Sequence, residues 1–210
     1  MFDLRRQSDR TRTEFEELAQ GQLDALYASA MRLTRNARDA EDLVQDAVLR
    51  AYRFFDKFER GTNFRAWLFK ILTNTFINRY RRSVKERTLV EGPEREAVTD
   101  QFVSRAASEH AADPERHLLD RLVSDEVVRA VDALPIDFRL VVILADLQDF
   151  SYKEIADILD IPVGTVMSRL FRGRRLLEKS LFSYAAEAGY LPERGDGSID
   201  LEAFRRRRTK

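Results

Sequence analysis

Apolar residues recur every three or four positions along most of this chain, which is the helical period. From Phe15 they fall at Leu18, Ala19, Leu23, Leu26, Tyr27, Ala30 and Leu33, a spacing that predicts one helical stripe. A second stripe comprises Leu43, Val44, Ala47, Val48, Ala51, Tyr52 and Phe55. It follows the acidic "RDAEDL", and acidic side chains suit a helix N-terminus. "DKFERGTN" breaks the pattern, with Gly61 as turn residue and Thr62 or Asn63 as N-cap. A third stripe follows at Phe64, Trp67, Leu68, Ile71, Leu72 and Thr75.

After Arg82 the periodicity fades. It resumes at Leu118, Leu119, Leu122, Val123, Val127 and Val131, and Pro135 separates this segment from "DFRLVVILADL". Neither strand-like alternation nor a fixed internal repeat occurs. The pattern predicts an all-α fold of two small helical domains, residues 14–82 and 116–182, joined by a flexible acidic linker over 83–115. An extension over 1–13 and a tail over 183–210 flank them.

Composition narrows the class. The chain has 210 residues, 44% hydrophobic and 34% charged, enough for two small cores. No apolar run approaches the roughly 18 residues of a membrane span, so no membrane insertion is expected. The start lacks the apolar core of a signal peptide, which makes export an unfavoured reading. Cys is absent, which excludes disulfides, thiol catalysis and Cys-based zinc sites. Formal net charge is zero, yet the charge is segregated. "RYRRSVKER" (79–87) and the stretch 169–175 are basic, while Glu91, Glu94, Glu96, Asp100, Glu109, Asp113 and Glu115 make the middle acidic. Two basic contact surfaces separated by a linker are the implication.

The second domain fits a helix-turn-helix frame over "YKEIADILDIPVGTVMSRL". Ile155 and Leu159 supply an apolar face, and Ala156 is small where helices cross. Asp160 occupies the turn, where Asp tolerates a left-handed backbone. Pro162 stops the first helix beside the start of the second. Val166, Leu170, Gly173 and Leu177 form the inward stripe of that second helix. With about 100° per residue, Ser168, Phe171, Arg172 and Arg175 point within roughly 60° of the opposite direction. A hydroxyl, an aromatic ring and two guanidinium groups on one face suit a major groove. Arg169, Arg174 and Lys179 flank that face and suit phosphate contacts.

On the third stripe's helix, the face away from the core holds Phe69, Lys70, Thr73, Asn74, Ile77, Tyr80 and Arg81. Aromatic, aliphatic, basic and amide groups interleaved in this way suit unstacked single-stranded bases. A second protein contact fits the same spacing.

"DAEDLVQDAVLRAYRFFDKFERGTNFRAWLFKILTNTFINRYRR" resembles conserved region 2 of the bacterial extracytoplasmic-function sigma factors, and "LPIDFRLVVILADLQDFSYKEIADILDIPVGTVMSRLFRGRRLL" is similar to their region 4. The likeness covers most of residues 14–181, in the family's order. "RLTRN", "GTNFRAWLFKILTNTFIN" and "GTVMSRLFRGRR" resemble the redox- and heat-stress group most.

The resemblance implies a subunit that joins core RNA polymerase at stress-type promoters, reads a −35 and a −10 element and helps open the duplex. For the −35 element it implies Ser168, Phe171 and Arg172 as base readers, with Thr165, Arg169 and Arg175 in the same DNA surface. Met167 stands where several relatives carry a basic residue. For the −10 element it implies Arg50, Lys70 and Asn74, with Phe58 and Asn63 in the loop that captures a flipped base. Trp67 reads as core rather than as a melting wedge. The polar side of the helix around "DLVQDAVLRAY", with Asp42, Gln45, Asp46, Leu49 and Arg53, corresponds to the surface that grips the polymerase β′ clamp helices. The implied partners are core polymerase (β′ clamp helices and β flap), duplex and single-stranded promoter DNA, and an anti-sigma factor. The implied location is cytoplasmic and nucleoid-associated. The acidic linker reads either as a segment threading polymerase or as a solubilising tether.

Neither a catalytic site, nor a cofactor, nor a metal is expected. The sequence has no phosphate-binding glycine loop, nucleophile elbow or metal-spaced histidine pair. His110 and His117 lie in or beside the linker. The competing reading is a helix-turn-helix regulator that binds duplex DNA without polymerase.

Overall fold

The computed structural model describes residues 2–91 and 125–187. The linker beyond position 91, the stripe from Leu118 to Val123, both histidines and the tail after position 187 lie outside the described residues. The described residues form eight α-helices and no strand: α1 (Phe2–Gln20), α2 (Leu23–Thr34), α3 (Ala37–Arg53), α4 (Phe64–Glu91), α5 (Asp125–Asp132), α6 (Ile136–Val142), α7 (Tyr152–Leu159) and α8 (Val163–Glu187).

The stripe expected to be one helix from Phe15 to Leu33 is two helices. Gly21 falls in the turn between them, and Leu18 and Leu23, beside the break, are exposed rather than inward. The apolar spacing runs through the break without interruption, so periodicity alone does not show it. α3 begins as expected, with Asn36 as N-cap accepting from the Asp39 amide at 3.0 Å. α4 runs past Arg82, where its apolar stripe ends, to Glu91. The Arg82–Glu86 pair, 2.8 Å apart, supports this exposed turn at helical spacing.

The first module packs α2, α3 and α4 around Leu26, Leu43, Leu68 and Leu72, all fully buried. Its far end is an aromatic cluster in which Phe55 and Phe58 stack and Phe15, Phe64 and Trp67 close around them. Each such ring contributes roughly 1.5–3 kcal/mol by leaving water. Trp67 packs against this cluster on the inward side its periodicity implied, but it is only partly buried.

In the second module α6 continues into one π-turn, in which the Gln148 amide reaches back to the Ile143 carbonyl at 3.0 Å. A capping box then starts α7: the Ser151 hydroxyl accepts from the Glu154 amide, and the Glu154 carboxylate accepts from the Ser151 amide. Asp160 ends α7 in the left-handed region at φ 54° and ψ 49°. Pro162 offers its carbonyl to the amides of Thr165 and Val166 and so opens α8. Val166, Leu170 and Gly173 face inward as the stripe predicted. Gly173 is required by packing: a Cβ there would lie 2.9 Å from Val142 Cγ2.

The two modules pack on each other, α2 against α5 and α6, and α4 against α7. Phe69 of α4 meets Phe150 edge-on at 5.0 Å between centroids. The Arg65 guanidinium lies 4.6 Å from the Phe150 ring centre and 5.5 Å from that of Phe69. It also donates to Gln148 Oε1 at 2.7 Å. A cleft of ≈ 310 Å³ remains along the seam, walled by Leu33, Phe76 and Tyr80 on one side and Ile136 and Arg139 on the other.

Candidate nucleic-acid interfaces

Fixed by Val166 and Leu170 in the core, α8 turns Ser168, Phe171, Arg172 and Arg175 outward, and all four are exposed. Phe171 keeps 68% of its surface free. The Ser168 hydroxyl bonds back to the Thr165 carbonyl at 3.0 Å, leaving its lone pairs outward. Thr165 itself is half-buried.

The flanking arginines divide into two classes. Arg169 donates to Asp137 Oδ2 at 3.1 Å and ties α8 to α6. Arg174 pairs with Asp146, whose hydrogen bond and charge hold the guanidinium pKa above its ordinary value. Both are therefore paired with a carboxylate within the fold, which sequence spacing did not reveal. Arg172 and Arg175 have no acidic partner among the described residues.

In the first module, Arg50, Lys70 and Asn74 are exposed. Arg50 donates to Thr75 Oγ1 at 3.4 Å, which brings the α3 cation beside the turn of α4 that carries Asn74. The outward face expected on α4 is only partly free. Phe69 and Thr73 are buried, and Phe69 is covered by Phe150 of the other module. Phe58 was expected to face a base in the loop over 58–63, but only 6% of it is exposed. Stacked on Phe55, it forms the floor of that loop. Arg60 pins the loop to α1 through a two-pronged pair with Glu14, at 2.9 and 3.0 Å.

Asn63 is exposed but engaged. Its Oδ1 accepts from the Ala66 amide at 3.1 Å, capping α4, while Nδ2 donates to Glu154 Oε1 at 2.7 Å. The hydrogen bonds from Ser151, first its hydroxyl and then its amide, hold the Glu154 pKa below the ordinary glutamate range. Burial opposes this, and Asn63 and the Arg65 charge assist it.

The polar side of α3 presents Asp42, Gln45, Asp46, Leu49 and Arg53, all exposed. Leu49 keeps 49% of its surface in water. Asp46 pairs with Arg79 of α4, which also donates to the Asp42 carbonyl at 3.1 Å. Among the described residues, no group of His, Asp or Glu has metal-binding geometry, and no helix is long and apolar enough to cross a membrane.

Comparison with known proteins converges on one family. The Sigma-70 region 2 model matches residues 12–86, and the Sigma-70, region 4 model matches 124–177. The chain is 35% identical to the ECF RNA polymerase sigma factor SigE of Mycolicibacterium smegmatis over 82% of its length, spanning 63% of that relative. It is 34% identical to the ECF sigma factor SigW of Bacillus subtilis, with 75% and 83% of the two chains covered. For the ECF sigma-E factor of Escherichia coli K12 the identity is 35%, with 68% and 74% covered. Among solved structures, the sigma factor RpoE of Bartonella quintana, in complex with the anti-sigma factor NepR, aligns with a TM-score of 0.62 at 32% identity. That alignment covers 79% of this chain and 97% of RpoE. CnrH, in complex with the cytosolic domain of CnrY, aligns with a TM-score of 0.55 at 25% identity, covering 82% and 90%. With both sigma regions present in order on an all-helical frame, the chain belongs to the extracytoplasmic-function sigma factors of the sigma-70 family.

Proposed function

We infer that this chain directs core RNA polymerase to stress-type promoters, the second module reading the −35 element and the first module the −10 element. The outward face of α8 carries this reading: Ser168, Phe171, Arg172 and Arg175 stand exposed on a helix whose opposite side is locked into a helix-turn-helix core. An arginine there can bond a guanine edge through two N–H groups, at about 1–3 kcal/mol of discrimination. Thr165 and Arg169 lie at the margin of the same surface and serve backbone contacts.

In the first module, Arg50, Lys70 and Asn74 form the strand-contacting group, and Asn63 offers an amide to a base drawn out of the stack. Asp42, Gln45, Asp46, Leu49 and Arg53 form the clamp-helix surface, with Leu49 as its apolar anchor. The chain acts as a specificity subunit and leaves chemistry to the polymerase. A chain with this role works in the cytoplasm, at the nucleoid. RpoE was solved with the anti-sigma factor NepR, and CnrH with the cytosolic domain of CnrY; an anti-sigma factor is proposed for this chain likewise.

The test is transcription in vitro by core polymerase lacking its own specificity subunit, over a randomised promoter library. Promoter-directed initiation on adding the chain is expected. Tight duplex binding that core enzyme does not alter, with no initiation, would replace this reading by a regulator independent of polymerase.

A further inference from the structure

The cleft at the seam holds a charge that the fold does not answer. Arg139 of α6 lines it and is only 2% exposed, and a guanidinium keeps its proton in a protein. One Nη donates to the Leu134 carbonyl. Nε is buried with no hydrogen-bond partner, and no carboxylate pairs with the group among the described residues. A buried charge in this state is costly until an anion meets it.

The first module contributes a second buried cation to the same cleft. Arg35 is 4% exposed and closes α2 in the left-handed region, at φ 61° and ψ 16°. Glycine is the usual residue at such a helix end, so an arginine there points to a use for its side chain. Arg79 also lines the cleft but is committed to Asp46, and the lining carboxylate, Asp39, is exposed. Arg35 and Arg139 therefore set the charge of the interior. Beside them the rings of Phe76 and Tyr80 lie 6.2 Å apart and within 25° of parallel, a wall that suits a planar ring.

We propose that this cleft binds a nucleoside mono- or diphosphate, with the phosphate between Arg35 and Arg139 and the base against the Phe76–Tyr80 wall. A terminal phosphate carries about −1.5 to −2 charges, which matches two guanidinium groups better than one carboxylate does. Its oxygens also fit the guanidinium fork. The cavity of ≈ 310 Å³ falls at the lower end of small-ligand sites, roughly 300–1,000 Å³. Because its walls belong to both modules, a ligand there holds them in the packed arrangement.

The test is calorimetric titration of the full chain with AMP, GDP, inorganic phosphate and an acidic peptide. AMP and GDP should bind one to one, about tenfold more tightly than inorganic phosphate, the effect of one stacked base. Their affinity should fall below about pH 6, where the phosphate takes up its second proton. Arg35→Gly suits the left-handed position and should keep the helical circular dichroism while weakening AMP binding about tenfold or more. Arg139→Lys keeps the charge, loses the fork and should weaken binding likewise. No saturable nucleotide binding, or binding that both variants leave unchanged, overturns the proposal. Inorganic phosphate binding as tightly as AMP removes the base from the site and overturns the nucleotide assignment. An acidic peptide binding more tightly than either nucleotide gives the cleft to a protein partner and overturns it too. Neither polymerase nor promoter DNA enters this measurement, so its failure leaves the promoter reading intact.

Discussion

Asn63 and Glu154, 91 positions apart, are joined across the two modules by a 2.7 Å hydrogen bond from Nδ2 to Oε1. Each also serves its own helix start, Asn63 as cap of α4 and Glu154 as the partner in the Ser151 capping box of α7. The two helices therefore meet N-terminus to N-terminus. The Glu154 carboxylate lies between two positive dipole ends, which is the favourable place for it.

Acid should loosen this seam. Glu154 has a folded pKa below its unfolded value, chiefly through Ser151. Its contribution is full above the unfolded value, about pH 4.3 for a free glutamate, and is lost as pH falls through the lower folded value. Energy transfer between dyes on the two modules should fall in that acid range for the unaltered chain. Glu154→Gln should start with lower transfer at neutral pH and lose this component of the pH response. An identical acid profile in both chains would remove Glu154 from the seam's energetics.

Arg65 supports the same seam by stacking near Phe69 and Phe150 and donating to Gln148. Arg65→Ala deletes a charge-assisted hydrogen bond of about 1.5–3 kcal/mol. By loosening the seam it should also weaken the bond from Asn63 to Glu154, which competes with a captured base. The variant should bind a single-stranded −10 oligonucleotide several-fold more tightly than the parent chain, measured by fluorescence anisotropy. Weaker binding would mean that Arg65 itself contacts the strand.

The helix-turn-helix was legible because its determinants are local. Asp160 in its left-handed turn, Pro162 at the start of α8 and the Val166–Leu170–Gly173 stripe all act within a few residues of themselves. Much of what escaped the sequence is long-range, although the break at Gly21 and the burial of Phe58 are local. Phe69 and Thr73 lie away from the apolar stripe of α4, yet both are buried, Phe69 beneath Phe150, about eighty positions on. No helical period carries that information. Phe58 sits in a loop, where periodicity gives no inward direction, and the surrounding rings decide its burial. Arg169 and Arg174 belong to a basic run, and only the fold brings Asp137 and Asp146 to them.

Gly173 is required by the crossing of α6 and α8. A methyl group there would sit 2.9 Å from Val142 Cγ2, inside contact distance, and 3.4 Å from Phe138 Cβ. Overpacking costs about 1–3 kcal/mol, against about 1 kcal/mol gained by placing Ala for Gly in a helix. Gly173→Ala should therefore lower stability by about 1 kcal/mol in urea unfolding. Adding Val142→Ala should cost less in the Gly173→Ala background than alone, because the new methyl group fills part of the space. Full additivity would show that the two sites do not touch.

Asn74 is exposed, with Arg50 held beside its turn through Thr75, and it lies on α4 rather than on the α3 surface that carries Leu49. Asn74→Ala should impair promoter opening, read by permanganate reactivity of unpaired thymines, while leaving the affinity for core polymerase within about twofold. Equal losses in both assays would make Asn74 a structural residue instead.

Arg169 and Arg172 are three positions apart and should behave differently when truncated. Arg169 is held by Asp137 at 3.1 Å, and an exposed pair of this kind stabilises a fold by only about 0–1 kcal/mol. Its loss should produce a small, sequence-independent decrease in −35 binding and a shallower salt dependence, the signature of a phosphate contact. Arg172 has no such partner, so its guanidinium can be directed wholly at a base edge. Arg172→Ala should cost about 1–3 kcal/mol, concentrated at one base pair. Comparing the two variants on a set of single-base −35 changes separates the roles: only Arg172→Ala should flatten discrimination at one position. If both variants weaken every sequence alike, Arg172 too contacts backbone.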